Sequence, residues 1–224
     1  IDTVSHQDMT AEARAPLIAK MRSWCGMLNW LSQGTRLDIT TMVSLLASHQ
    51  CNPSPGHLDA AKYVGKYLKA TAGLGLLFSS RHNSTLEGFI FFPVRGPLSS
   101  EMIAFADANW GPQDASRPSP TNVREISLNE TKSICGHIMF YGGAPIYWAS
   151  HKEPRTSGSS CEAEIRATNM CTKSVLWFRH ILNDLGLLPS SHPTPIYNDN
   201  RGAVDWAKTT STRGLRHVNI QENV

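Results

Sequence analysis

The first third of the chain carries apolar residues at every third or fourth position, a spacing that predicts amphipathic helices. One stripe runs from Met21 to Leu31, and a second runs from Leu58 to Leu68. The segment 52–56 between them contains two prolines and a glycine, which is typical of a turn before a helix. We therefore expect residues 1–75 to form a small helical segment.

The pattern changes near residue 76, where short apolar runs bounded by turn residues predict strands. The Gly142-Gly143 pair lies between two of these runs and predicts a hairpin turn. The polar stretch between Trp110 and Thr131 has no apolar period and predicts a surface loop. The strands predicted in this part are Gly88 to Val94, Met102 to Asp107, Ile134 to Tyr141 and Pro145 to His151.

The last third of the chain returns to helical spacing. It predicts a long helix from Ser159 to Leu185, a strand from Thr194 to Asp199 and a helix from Arg201 to Lys208. Hairpin strands followed by a helix, a strand and a helix indicate an α/β domain over residues 76–224.

Composition and charge narrow the class of protein. The chain has 224 residues, of which 41% are hydrophobic, so we expect globular domains rather than a disordered tail. The net charge of +3 is compatible with a polyanionic partner without requiring one. Five widely spaced cysteines without a C-x-x-C pair argue against a disulfide scaffold and a thiolate zinc site. Because no apolar run approaches membrane-spanning length and the first residues do not resemble a signal peptide, we expect an intracellular protein without a membrane partner.

Three acidic residues stand where α/β sheets present their ligands. Asp107 and Asp199 each end a predicted strand, and Glu162 and Glu164 begin the long helix. Each acid alone also has an ordinary explanation, since acids favour helix starts and aspartates favour turns. Glu164 lies seven residues before Cys171, on the apolar stripe, whereas Glu162 is rotated by about 200° from Glu164. Glu164 is therefore expected to face the sheet.

A cluster of these carboxylates predicts a metal site. Like charges that crowd together repel each other, so an all-oxygen cluster favours a hard divalent cation such as Mg²⁺ or Mn²⁺. No competing motif is present, because the chain lacks G-x-S-x-G, G-x-x-x-x-G-K-[ST] and H-E-x-x-H.

Several segments form a set with a characteristic order and spacing. They are Ala106-Asp107-Ala108-Asn109-Trp110, Lys132-Ser133-Ile134-Cys135-Gly136, Tyr141 to Trp148, Ser159 to Ala167 with its S-S-x-E-A-E sequence, and Tyr197-Asn198-Asp199-Asn200-Arg201-Gly202-Ala203. This set resembles the ribonuclease H domain of copia-type LTR retrotransposon polyproteins. The segments Gly26 to Leu31, Thr35 to Ile39, Asn52-Pro53 and Ala61 to Lys69 are similar to the thumb and connection of the reverse transcriptase in the same polyproteins.

The resemblance implies a ribonuclease H-like fold, with a mixed five-stranded sheet and helices, preceded by a helical thumb/connection segment. By the family pattern Asp107, Glu164 and Asp199 would bind two Mg²⁺ ions, or Mn²⁺, and the domain would cut the RNA strand of an RNA–DNA hybrid. The polymerase part of the same polyprotein is the expected protein partner. We expect this chain to be located in the cytoplasm, in virus-like particles, or in the nucleus.

Substrate contacts follow from the chemistry of a hybrid duplex, which proteins read through phosphates and 2′-hydroxyls. Small polar groups and a cation near the acids suit that task. The residues predicted to contact the substrate are Asn109, Ser160, Asn198, Asn200 and Arg201. Other cations could also contact phosphate, although scattered arginines are more often solvated surface residues; they are Lys132, Lys152, Arg155, Arg166, Arg213 and Arg216.

Departures from the family pattern leave alternatives open. The family's fourth carboxylate, in an N-x-A-D-x-x-T-K-like segment, has no counterpart before Val224, so we expect a domain truncated at its carboxyl end. The polymerase palm and fingers would precede Ile1. The alternatives are a catalytically inactive or truncated module that binds nucleic acid or a polymerase partner and, less well matched in carboxylate spacing, an integrase or transposase core.

Overall fold

The computed structural model describes residues 11–76, 78, 102–109, 132–188, 191 and 193–208. These residues form two compact units that divide at residue 75, the first helical and the second built around a sheet. The predicted strand Gly88 to Val94 and the predicted loop between Trp110 and Thr131 lie outside the described residues. So do Arg213 and Arg216.

The helical unit contains three α-helices and a short 3-10 helix, Leu37–Ile39. The helices are α1 at Ala11–Gly34, α2 at Thr40–Ser48 and α3 at Pro55–Ala70. Both predicted stripes lie within helices, α1 and α3. The sequence prediction did not include α2, which has only nine residues and so offers few repeats of the helical period.

Arg36 links the ends of the helices in this unit. Its guanidinium is buried and donates to Asp38, at 2.9 and 2.7 Å, and to the carbonyl and hydroxyl oxygens of Thr71. Tyr67 on α3 also donates its hydroxyl to Asp38. Chiefly because of the hydrogen bond from Arg36, the pKa of Asp38 is lowered. The connection before α2 is therefore fixed to the carboxyl end of α3.

The second unit contains a mixed sheet of four strands in the order β3-β2-β1-β4. Neighbours β1, β2 and β3 pair antiparallel, and β4 pairs parallel to β1. Gly142 and Gly143 form the predicted hairpin turn, both with positive φ. The strands are β1 at Met102–Asn109, β2 at Ile134–Tyr141, β3 at Ala144–Lys152 and β4 at Ile196–Tyr197.

Two helices complete this unit, α4 at Ser160–Asp184 and α5 at Arg201–Lys208. The α/β class with a mixed sheet is thus confirmed. The described residues form four strands of the five expected, and β4 covers only two residues of the six-residue strand predicted from Thr194 to Asp199. In the described part of the chain, every helix is too short or too polar to span a bilayer.

Small side chains on β1 allow α4 to pack closely on the sheet. Ala104 and Ala106 alternate toward the core, and they share one buried cluster with Cys171 and Val175 of α4. The strand register also bears on the cluster of acids, because Asp107 on β1 lies directly opposite Gly136 on β2.

His137 on β2 is a buried polar residue of the same core. It is 7% exposed, its Nε2 atom lies 3.2 Å from the Ser174 hydroxyl, and its ring is next to Tyr147. Burial is the main reason that its pKa falls to about 4, and the charge of His151 adds to the effect. His137 is therefore neutral at pH 7.

We predict that protonation of His137 opposes folding in acid. Its folded pKa of about 4 lies below the ordinary value of 6.5, so the unfolded chain takes up the proton first as pH falls. Stability should fall between pH 6.5 and pH 4, with a loss of about 2 kcal/mol by pH 5. Urea unfolding from pH 7 to pH 5 measures this loss.

The control is His137→Gln, which stays uncharged across this range and can still hydrogen-bond to Ser174. The difference in unfolding free energy between the wild type and this variant should depend on pH. Parallel pH curves for the two proteins would contradict the prediction.

Candidate metal centre

The structure brings the three predicted acids together. Asp107 lies near the carboxyl end of β1, Asp199 follows β4 by two residues, and Glu164 lies in the first turns of α4. Because β1 and β4 run parallel, their carboxyl ends meet at the same edge of the sheet. Each acid offers one oxygen atom within 4.8 Å of those of the other two.

The three carboxylates differ in burial. Asp107 and Asp199 are exposed, whereas Glu164 is 6% exposed. Burial raises the pKa of Glu164, and the charges of Asp107 and Asp199 raise it further. Hydrogen bonds from the Asn198 side chain and the Ala108 backbone act in the opposite direction. The metal-free cluster therefore holds a carboxylate whose charged form is disfavoured.

Asn198 is turned into the protein between the acids. Its amide nitrogen lies 2.9 Å from Glu164 Oε2, 3.2 Å from the Ala106 carbonyl oxygen and 3.2 Å from Thr168 Oγ1. Its Oδ1 atom accepts a hydrogen bond from the Asn200 backbone N–H at 2.8 Å. The structure thus gives Asn198 protein partners on both sides, and its predicted contact with substrate stays a prediction.

The other predicted substrate contacts lie around the acids. Asn109 and Ser160 are exposed, at the end of β1 and the start of α4. Asn200 caps α5 by accepting from the Ala203 backbone N–H at 3.0 Å. The Arg201 side chain is 93% exposed, and its Nε atom lies 3.6 Å from Asp205.

Sequence reasoning missed a buried ionic cluster at the start of α4. The Arg166 guanidinium donates to Glu153 at 2.9 Å and to Glu162 at 2.5 Å. Glu153 also accepts from the Ser157 hydroxyl at 3.0 Å, and Glu162 accepts from the Gly158 backbone N–H at 2.7 Å. This cluster ties the end of β3 to the first turn of the helix that carries Glu164.

The cluster changes the interpretation of two residues. Arg166, considered for phosphate contact, has a side chain that is 11% exposed and paired with two glutamates, which makes it a poor phosphate ligand. Glu162, rotated away from Glu164 on the helix, is nevertheless buried at 4% exposure because Arg166 and Gly158 satisfy its charge. The four-residue spacing of Glu162 and Arg166 was the sequence signal for this pair.

The donor set fits a hard divalent cation. Asp107, Glu164 and Asp199 supply only carboxylate oxygens, and two of the three are exposed, which leaves room for water ligands. A cation would also relieve the repulsion that raises the pKa of Glu164. The fold and this cluster define an α/β protein with a candidate divalent-metal centre.

Comparisons with known proteins show which proteins the chain is similar to. No protein-family model matches it, and no solved structure matches it significantly. The chain is 28% identical over 190 residues to the retrovirus-related Pol polyprotein from transposon RE2 of Arabidopsis thaliana, a match covering 85% of this chain and 11% of the relative. It is 29% identical over 183 residues to the corresponding polyprotein from transposon RE1 of the same plant, covering 81% and 10%.

A third relative agrees with these two. The retrovirus-related Pol polyprotein from transposon TNT 1-94 of Nicotiana tabacum is 23% identical over 197 residues, covering 88% of this chain and 12% of the relative. The chain is therefore a homologue of copia-type retrotransposon Pol polyproteins, which confirms the resemblance at the level of the polyprotein. It spans about a tenth of the length of these relatives.

We predict that Glu164→Gln stabilises the metal-free protein. The substitution removes a buried charge beside two like charges, and the one carbonyl oxygen of glutamine has two lone pairs with which to accept from the Asn198 amide and the Ala108 backbone N–H. The free energy of unfolding should therefore rise. Urea unfolding in the presence of a chelator measures the change.

Glu162→Gln is the matched control, because it makes the same substitution in the same helix at similar burial. It breaks the ion pair with Arg166, so the free energy of unfolding should fall by about 1–3 kcal/mol. A change of the same sign in both variants would contradict our account of the cluster.

Proposed function

We propose that the chain is the ribonuclease H region of a retroelement polyprotein, preceded by part of the reverse transcriptase thumb and connection. In this proposal it hydrolyses the RNA strand of an RNA–DNA hybrid in a reaction that depends on a divalent metal. The observation that carries the proposal is the convergence of Asp107, Glu164 and Asp199 within 4.8 Å. The homology to retrotransposon Pol polyproteins supports it independently.

The fold supports the same proposal. A ribonuclease H-like domain needs a mixed sheet with a parallel strand next to an antiparallel meander, and the order β3-β2-β1-β4 has that arrangement. The acids lie where the two parallel strands end, which is the usual ligand edge of an α/β sheet.

The mechanism assigns the carboxylates to metal binding. Asp107, Glu164 and Asp199 would hold Mg²⁺ or Mn²⁺, two ions in the family pattern, which when bound supply charge stabilisation and an activated water for phosphodiester hydrolysis. Asp107 and Asp199 are open to solvent and to substrate, whereas Glu164 binds from the buried side. No side-chain nucleophile is required.

The substrate is proposed from the chemistry at the rim of the site. Asn109 offers an exposed polar group two residues beyond Asp107, Ser160 offers another four residues before Glu164, and exposed Arg201 offers a cation for phosphate. These groups suit the backbone and 2′-hydroxyls of a hybrid better than base edges. The polymerase part of the same polyprotein is the proposed protein partner, because the relatives are Pol polyproteins.

We predict cleavage of the RNA strand of a strand-labelled RNA–DNA hybrid with Mg²⁺ or Mn²⁺. Asp199→Asn should reduce the rate by at least about a hundredfold, because it removes a charged ligand at an exposed position. Gel analysis of each labelled strand, with duplex RNA and duplex DNA as comparison substrates, measures the activity.

Asp184→Asn is the control, since Asp184 is an exposed aspartate at the opposite end of α4 from Glu164. It should cleave like the wild type. Binding of the hybrid without cleavage would reject the enzyme and favour a nucleic-acid-binding module, whereas cleavage of duplex DNA would favour an integrase or transposase core.

A further inference from the structure

We infer that Asn198 is a positioning residue, whose side-chain amide holds Glu164 in place between the strands that carry Asp107 and Asp199. The inference rests on the proposed metal site. It differs from the contact with substrate that the sequence suggests for Asn198, because the structure turns its amide toward protein groups.

The contacts of Asn198 reach every element that carries an acid. Its amide nitrogen donates to Glu164 on α4 and to the carbonyl oxygen of Ala106, the residue before Asp107 on β1. Asn198 itself directly precedes Asp199. One side chain therefore connects the three parts of the backbone from which the acids project.

The chemistry of the position requires an amide. The Asn200 backbone N–H donates to Oδ1, so the opposite amide orientation, which would set two donors against each other, is excluded. The nitrogen then faces Glu164, Ala106 and Thr168, all of which present oxygen atoms. A carboxylate here would have an acceptor where a donor is needed and would repel Glu164. The shorter hydroxyl side chain of a serine would not reach the Glu164 carboxylate.

The position of the donor explains why it matters for function. Glu164 is buried beside two like charges and has two hydrogen-bond donors, the Asn198 side chain and the Ala108 backbone N–H, so loss of Asn198 leaves only one donor to hold its carboxylate toward Asp107 and Asp199. Hydrogen bonds to metal-binding carboxylates from outside the ligand set hold them in the binding orientation, and their loss typically weakens metal binding by about 10–100-fold.

Asn198→Ser tests the inference in the full chain. Serine can still accept the local bond from the Asn200 backbone N–H, as in the corresponding hydroxyl turns, but it loses the bridge to Glu164. We expect Mn²⁺ to bind the nucleic-acid-free protein about tenfold more weakly, measured by isothermal titration calorimetry. In cleavage assays kcat should fall with little change in KM for the hybrid.

The matched control is Thr194→Val. It removes a 2.8 Å hydrogen bond that Arg179 on α4 donates to the Thr194 hydroxyl, in the segment before β4 and away from the acids. Its Mn²⁺ affinity should equal that of the wild type.

A second variant, Asn198→Asp, keeps the side-chain volume and the turn but places a carboxylate against Glu164. Its midpoint of thermal unfolding without metal should fall by about 3–6 °C.

The outcomes separate the possible roles. Unchanged Mn²⁺ affinity in Asn198→Ser with a raised KM for the hybrid would overturn the inference and assign Asn198 to substrate binding. An unchanged unfolding midpoint in Asn198→Asp would also overturn it. A wild-type protein that binds no Mn²⁺ would overturn the proposed function and this inference together, so the two failures are distinguishable.

Discussion

The paired charges of Arg166 with Glu153 and Glu162 hold the first turn of the long helix, which the Ser159 side chain caps, against the end of β3. Glu153 lies just beyond β3 and Glu162 in the first turn of α4, so one guanidinium fixes the connection between strand and helix. Buried charges are tolerated only when they are paired and hydrogen-bonded, and each of the three has a second partner or a neighbouring donor in this cluster. The place of Glu164 above the sheet follows from that fixed start.

In the acid cluster, by contrast, the same helix carries a carboxylate whose charge is not neutralised. Two residues after Glu162, whose charge is neutralised, Glu164 brings a third carboxylate toward Asp107 and Asp199. Packing of α4 on the small residues of β1 holds this arrangement against repulsion. The first turns of α4 therefore combine an ion cluster that stabilises the fold with the Glu164 carboxylate, which is suited to bind a cation.

Much of this architecture could be predicted from local patterns. The phase of the apolar stripe on α4 identified Glu164, and glycine pairs and strand ends located the hairpin and the two aspartates. The rest depended on partners distant in sequence: Arg166 finds Glu153 thirteen positions away, and Asn198 reaches Ala106 across 92 positions. Such pairings exist only once the sheet has formed, so local spacing could not show that Arg166 is buried or that Asn198 faces inward. For α2, nine residues cover too few turns for the helical period to stand out.

The glycine opposite Asp107 has a consequence for engineering this chain. Residues directly paired across antiparallel strands place their side chains on the same face, so Gly136 leaves the position beside Asp107 without a side chain. A Cβ atom there would come no closer than 3.8 Å to the Ala149 carbonyl oxygen, so neighbouring atoms do not demand glycine. A designer who replaced Gly136 with a β-branched residue would strengthen the strand and, in the same step, narrow the approach of a bulky ligand to Asp107.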